Sequence, residues 1–309
     1  MTQLSIIVPV KNQKQHLLSL LSMLSRCDLT NCEIVIVDNS DEAMDIHHLT
    51  IPDLDIRYFH KTNSNISKNL NTGIKLANGQ FIARIDSHVI LQKDYFSNAI
   101  KILNVHPDIN LIGGYTEIVN QKIENNLATR LYSSMLSFGR SRYKINEITK
   151  FIDVKTNKIY LGVYRRCLFD EMKFNEDIER RQDGEFNSKI KVESCLLTPK
   201  LRLKYILIHD EFFDLLKRSF NQGRSLTKNR KNVQISHMFP LFFYFAYLIL
   251  AVLYPLQIIV LSIIPFISLS YLYFLETRCN TGEAIRAPLL IFLIHIYYLF
   301  GIFRGLIDS

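Results

Sequence analysis

The stretch FIARIDSH, residues 81 to 88, runs apolar like a buried strand and then delivers Asp86, Ser87 and His88. On an extended chain residues i and i+2 point the same way. Asp86 and His88 can therefore share one divalent cation, whose other positions go to water and phosphate oxygens. The same pair can instead simply close a hydrogen bond at a strand end. Asp38 ends a second apolar run, EIVIVDNS, where it can accept a hydrogen bond from a nucleobase imide; an Asp-Asn-Ser run is also a good turn and helix cap. Asp183 lies in RRQDGEF amid Glu179, Arg180, Arg181 and Glu185, which by charge alone reads as a solvated helix start.

The elements that must position these residues follow from hydrophobic periodicity. Strands are expected at 4–10, 33–40, 55–60 and 80–86, and helices at 14–27 and 65–77. This alternation predicts an α/β fold with a mostly parallel sheet covered by helices on both faces. Ligands of such sheets bind outside the carboxyl ends of the strands. Lys11 and Asn12, then Asp38, Asn39 and Ser40, then Asp86, Ser87 and His88 should accordingly face one crevice. No GxGxxG follows the first strand, and Pro9 stands where its phosphate-cradling turn would be, which argues against a nicotinamide-dependent dehydrogenase. Past residue 105 the rhythm loosens: a strand at 110–119, a helix at 124–140, a strand at 158–166, a helix from about Gln182 and a strand at 201–210.

Charge divides the chain. No charged residue occurs from Phe239 to Leu275, or from Ala287 to Phe303, whereas the first 235 residues carry charge regularly. The expected organisation is a head at 1–235 and a hydrophobic membrane region at 236–309, with two to three segments near 239–256, 257–275 and 287–303. The first apolar run is nearly twice the roughly 20 residues of one spanning helix, and Pro255 and Pro265 are candidate breaks. The competing reading is a set of core helices in a soluble protein. Lys217, Arg218, Arg224, Lys228, Arg230 and Lys231 precede the first run, which by the positive-inside rule keeps the head in the cytoplasm; MTQLSIIVPV lacks the basic start of a signal peptide. The net charge of +8 suits anionic lipid or phosphorylated substrates, and no nucleic-acid-reading motif is present. Five cysteines without a CxxC pair read as reduced thiols.

Taken together, SIIVPVKN, EIVIVDNSD, NLNTGIKLANGQFIARIDSH, YLGVYRRCLFDEMKFNED and RRQDGEFN resemble the ordered signature of the family 2 glycosyltransferases and their GT-A fold. The Arg-Ile-Asp-Ser-His form and the apolar tail resemble the subgroup that builds bacterial exopolysaccharides, of the succinoglycan glucosyltransferase type. The resemblance implies roles. Asp38 would hold the uracil of a UDP-sugar, with Pro9 and Val10 lining the same pocket. Asp86 and His88 would take the metal of the family's DxD motif, Mn2+ or Mg2+, with His88 in place of the second Asp. Lys68 or Arg84 would touch phosphate, because Leu70 precedes Asn71 where many members carry Arg. Asp183 would be the general base, followed by Asn187. Gly162, Arg165, Gln222 and Arg224 would lie on the acceptor side. QGRSL lacks the tryptophan of the processive QxxRW motif, which implies transfer of a single sugar. The implied activity is inverting transfer from a UDP-sugar to a polyprenyl-diphosphate-linked glycan at the bacterial inner membrane. A processive synthase and a catalytically silent, membrane-anchored partner in a polysaccharide assembly complex are the alternatives.

Overall fold

The computed structural model describes residues 2–45, 55–120, 127–138, 152–178, 182–207, 211–228 and 235–308. Glu179, Arg180, Arg181, Arg230 and Lys231, the start and end of the expected 124–140 helix, and 208–210 of the last expected strand lie outside the described residues. Contacts group the chain into two compact units, Met1–Val119 with Ser141–Leu207, and Asn120–Arg140 with Ile208–Ser309.

The first unit is built on β1 (Leu4–Val10), every residue of which is buried, as a β-branched run covered on both faces must be. The helix α1 (Lys14–Leu24) follows, and its Leu17, Leu20, Leu21 and Leu24 form one buried stripe at helical spacing. β2 (Cys32–Asp38) and β3 (Asp55–His60) join in parallel, the register running from Leu4 opposite Cys32 to Val10 opposite Asp38. α2 (Ile66–Leu76) starts where the Asn65 side chain accepts the Lys68 amide at 2.9 Å. It leads into β4 (Phe81–Arg84), parallel to β1 on its other side. With β5 (Val89–Leu91), α3 (Tyr95–Val105) and β6 (Leu111–Asn120) the strand pairing turns antiparallel: β5 joins the last strand, and β6 its neighbour in the sheet, in that sense.

Between β6 and the next strand run two short helices, α4 (Leu127–Ser133) and α5 (Met135–Phe138), where the periodicity predicts one; the Ser134 hydroxyl accepts the Leu136 amide and so caps a new turn. There follow β7 (Val154–Lys155), β8 (Val163–Arg165), α6 (Leu168–Glu171), α7 (Gln182–Ser188) and β9 (Cys195–Leu207). The nine-stranded sheet has the order β3-β2-β1-β4-β8-β6-β9-β5, with β7 paired to β9. β8 is shorter than the expected 158–166 strand because Leu161 takes φ 55°, a left-handed conformation that breaks extension.

The second unit adds α8 (Phe212–Lys228), α9 (Ile235–Leu253), α10 (Pro255–Thr277) and α11 (Thr281–Ile307) to α4 and α5. α8, which a boundary at 235 assigns to the head, groups with these helices. The apolar run breaks at Pro255, the first residue of α10, where the missing amide hydrogen costs nothing; Pro265 stays inside the helix. Among the described residues one helix, Thr281–Ile307, is long and apolar enough to cross a membrane, with a mean hydropathy of 1.9, and Phe242–Leu253 and Ser262–Thr277 are shorter apolar helices.

Candidate active site at the carboxyl edge of the sheet

Because β1, β2 and β4 run parallel, the loops that leave them emerge on one edge. Hydrogen bonds tie those loops to each other. The Asn12 amide donates to Ser40 Oγ at 2.7 Å, and the Asn39 amide to the Val10 carbonyl at 2.9 Å. Ser87 Oγ donates to Gln13 Oε1 at 2.5 Å. The three polar clusters of the sequence thus share one edge, as expected.

At the end of β4 the Arg84 guanidinium, its side chain 4% exposed, pairs with two carboxylates: Nη2 lies 2.8 Å from Asp86 Oδ1, and Nη1 lies 2.7 Å from Asp183 Oδ2. The Tyr160 hydroxyl donates to the second oxygen of Asp86, and its ring lies under the guanidinium, 5.5 Å from its centroid. Burial pushes the Asp86 carboxyl up, but Arg84, His88 and the Tyr160 hydrogen bond outweigh it and hold the group below the usual carboxylate range. For Asp183 burial prevails over the attraction of Arg84, and with Asp86 nearby the carboxyl is raised. Two acids on one cation are therefore split into a firmly ionised carboxylate and a more basic one.

Asp183 reaches Arg84 because α7 is anchored from its other residues. Phe186 stacks on Phe174 at 4.5 Å and on Phe169 at 5.2 Å. One helical turn beyond Asp183, Asn187 donates to the Ile159 carbonyl at 2.9 Å and accepts from the Tyr164 hydroxyl at 3.1 Å. The approach to α7 is clamped by α2: the Asn71 amide group donates to the Phe174 carbonyl at 2.9 Å and its oxygen accepts the Phe174 amide at 3.0 Å. Gly162 sits where the Arg84 amide meets its carbonyl at 3.1 Å, and a side chain there would run into Leu111 and the Ile112 carbonyl.

The other expected site residues are placed as follows. Pro9 and Val10 are buried at the end of β1. Asp38 is fully buried; it accepts from Ser40 through amide and hydroxyl at 2.8 and 2.5 Å, and from the Tyr58 hydroxyl at 2.5 Å. Its observed partners come from its own turn and from β3. Lys68 is exposed on the first turn of α2. His88 lies in the turn before β5, its ring 4.7 Å from Tyr205 and 6.4 Å from His16. Arg165 stands opposite Phe81, at the end of β4 away from Asp86, and donates to the carbonyls of Leu103, His106 and Ile109. Gln222 and Arg224 belong to α8 in the second unit, where Arg224 pairs with Asp308 at 2.6 Å.

Among the described residues no group of three or more His, Cys, Asp or Glu side chains could form a metal cage. Asp86 and His88 offer a carboxylate held ionised and an imidazole beside it, which fits an ion completed by diphosphate oxygens and water rather than by protein. Sequence reasoning missed Tyr160, Tyr164 and Asn71. The signal for the tyrosines was available in KIYLGVYRR, where hydroxyl-bearing aromatics flank the glycine that abuts β4.

Among curated proteins, the chain is 25% identical over 331 residues to the dolichyl N-acetyl-alpha-D-glucosaminyl phosphate 3-beta-D-2,3-diacetamido-2,3-dideoxy-beta-D-glucuronosyltransferase of Methanococcus voltae, covering 100% of this chain and 98% of that one. Among solved structures, it is similar to the mannosyltransferase PcManGT from Pyrobaculum calidifontis in complex with GDP-Man and Mn2+, with a TM-score of 0.60 and 17% identity over 99% of this chain and 88% of that chain. S. aureus TarS in complex with UDP-GlcNAc superposes with a TM-score of 0.50 and 16% identity, over 100% and 93%. These structural likenesses show the GT-A fold. The Glycosyl transferase family 2 profile matches residues 5–172, from β1 through the glycine at 162 to α6, and with more than half its length inside that match the chain belongs to glycosyl transferase family 2.

Proposed function

We propose that the protein is an inverting glycosyltransferase that moves one sugar from a UDP-sugar to a lipid-linked acceptor. The observation that carries this reading is the pair of differently tuned carboxylates on Arg84, at the carboxyl edge of a parallel sheet. Asp183, the more basic of the two, takes the proton of the acceptor hydroxyl as that oxygen attacks the anomeric carbon. The bond from the anomeric carbon to the diphosphate breaks on the opposite face, and UDP leaves with the electron pair, so the configuration inverts. Asp86 and His88 are the residues to hold a divalent ion, Mn2+ or Mg2+, which when bound supplies positive charge to the diphosphate. Pro9, Val10 and the loop fixed by Asp38 form the nucleotide side, with Lys68 as a phosphate contact.

The acceptor class is supported by the dolichyl-linked substrate in the name of the Methanococcus voltae relative and by the apolar helices of the second unit. UDP is favoured by the TarS complex, and GDP in the PcManGT complex makes the guanosine donor the control. We place the head on the cytoplasmic side of a bacterial inner membrane, within reach of a polysaccharide assembly complex.

The test is nucleotide release from panels of UDP- and GDP-sugars, with membrane-extracted lipid acceptor, with and without manganese. Release of UDP with one sugar added per acceptor supports the reading; a ladder of products points to a processive synthase. Full turnover by both Asp86→Asn and Asp183→Asn removes the roles given to those residues.

A further inference from the structure

Among the described residues Arg84 is the one cation that pairs with both acids, and its chemistry decides what it can do there. A guanidinium is a rigid plane whose two terminal nitrogens point along fixed diverging directions, so two carboxylates bound to them stand at a set separation and orientation. Both terminal nitrogens of Arg84 are engaged, at 2.8 and 2.7 Å, and the Tyr160 ring lies 5.5 Å away over the guanidinium. Nε is buried and has no hydrogen-bond partner among the described residues. With its terminal nitrogens turned to the two acids and 3% of the residue exposed, Arg84 presents little donor surface to a phosphate.

The far side of the arrangement is equally specific. Asp183 gives one oxygen to Arg84, while its other oxygen, Oδ1, is buried and has no hydrogen-bond partner among the described residues. Asp86 is gripped on both oxygens, by Arg84 and by the Tyr160 hydroxyl. The backbone of Arg84 is fixed as well, its amide donating to the Gly162 carbonyl at 3.1 Å. The groups named around the guanidinium are thus tied to β4 and the residues just after it, to the 160–162 turn and to α7.

We infer that Arg84 is a positioning residue, a rigid spacer that sets the acceptor-side base Asp183 in register with the donor-side carboxylate Asp86, and that it is not a phosphate ligand. The inference rests on the transferase reading above and extends it. Lysine cannot replace Arg84 in this role, because an ammonium is a compact point charge without two terminal donor groups held in fixed, diverging directions.

The experiment compares wild type with Arg84→Lys in the full-length detergent-purified chain, reading kcat, KM for the UDP-sugar and calorimetric UDP affinity. Arg84→Lys is expected to lose about 100-fold in kcat, the scale of a misplaced catalytic group, while KM and UDP affinity stay within about threefold. UDP affinity falling in step with turnover overturns the inference, since that is the behaviour of a phosphate ligand. Asp183→Glu with Arg84→Lys, a longer acid facing a shorter base, is expected to regain about tenfold of the lost kcat; no regain argues against spacing. Should Arg84→Lys not fold, Asp183→Glu alone displaces one acid while leaving Arg84 in place, and must show the same split between kcat and UDP affinity. A wild-type chain that binds UDP yet releases none from any donor sinks the transferase reading separately. In that case the Tm values of Arg84→Lys, Asp183→Asn and the double variant still decide the linkage: non-additive shifts support it and additive shifts overturn it.

Discussion

At the scale of single residues the site depends on two acids that share a cation yet titrate differently. Because burial raises the Asp183 carboxyl above its ordinary range, the proposed base stays protonated at pH values where an exposed aspartate would already be ionised. Activity should therefore fall as pH drops through that raised value, with the acid limb of kcat/KM above the usual carboxylate pKa of about 3.9. Asp183→Asn should lose about 100- to 10,000-fold in turnover, with its residual rate flat across that limb, while UDP binding is retained. A pH series of UDP release on both proteins checks the pair of statements; an unchanged acid limb in the variant would assign it to another group. Asp86 and Asp183 were both legible as acids in the sequence, but their division of labour was not, because it is made by Arg84, Tyr160 and burial. Asp38 illustrates the converse: its position at a strand end was readable, whereas its engagement by Tyr58, 20 residues away on β3, needs the sheet register.

At the scale of elements, the edge that carries the site is stitched together at its opposite end by Glu33. Its carboxylate, 1% exposed on β2, accepts from Ser5 Oγ on β1 at 2.6 Å, from Arg57 on β3 at 3.2 Å and from the Asn78 amide ahead of β4 at 2.5 Å. Burial alone raises Glu33, but these hydrogen bonds outweigh it and the group ends lowered. A depressed folded-state pKa stabilises above the unfolded value, about 4.3, and that contribution is lost as pH falls through the folded value. Glu33→Ala leaves the buried Ser5 hydroxyl without its acceptor and removes the bonds to Arg57 and Asn78, and should cost about 3 kcal/mol, read by denaturant unfolding at neutral pH. At pH 3 the gap between the two proteins should narrow; a constant gap would mean that the charge is not what matters. The parallel elements were legible because β1, α1, β2 and α2 are each periodic over seven or more residues and end in turn or cap residues. After residue 150 the helix from Gln182 and strands overlapping 158–166 and 201–210 were legible, but their bounds and places were not, because β8 is three residues long and α7 seven, and both take their places from tertiary contacts such as Asn71 with Phe174 and Asn187 with Ile159.

At the scale of the whole molecule, the helices of the second unit lock to one another through glycine. A side-chain carbon at Gly223 of α8 would strike the Tyr298 carbonyl of α11, and one at Gly301 of α11 would strike the Phe220 carbonyl of α8. With Ser219 donating to the Ile294 carbonyl at 2.7 Å and Thr227 against Gly305, the two chains advance together, so α8 and α11 run parallel with their backbones in close approach. The Gly301-x-x-x-Gly305 spacing is the small-residue seam that lets helices pack closely without large side chains. α4 joins them through Arg130 with Glu283, and Arg218 of α8 stacks over Tyr132 at 5.3 Å. A cut at residue 235, which hydropathy alone suggests, strips α11 from α8 and removes Glu283 and Glu276, the partners of Arg130 and Ser134. The 1–235 fragment should therefore aggregate or need detergent, whereas the full chain in detergent gives a single peak in size-exclusion chromatography. Gly301→Leu in the full chain should reproduce part of that defect, at about 1–3 kcal/mol of overpacking, as a lower Tm in detergent. A freely soluble, monodisperse 1–235 fragment would mean that α8 folds without α11, and the seam would lose its structural role.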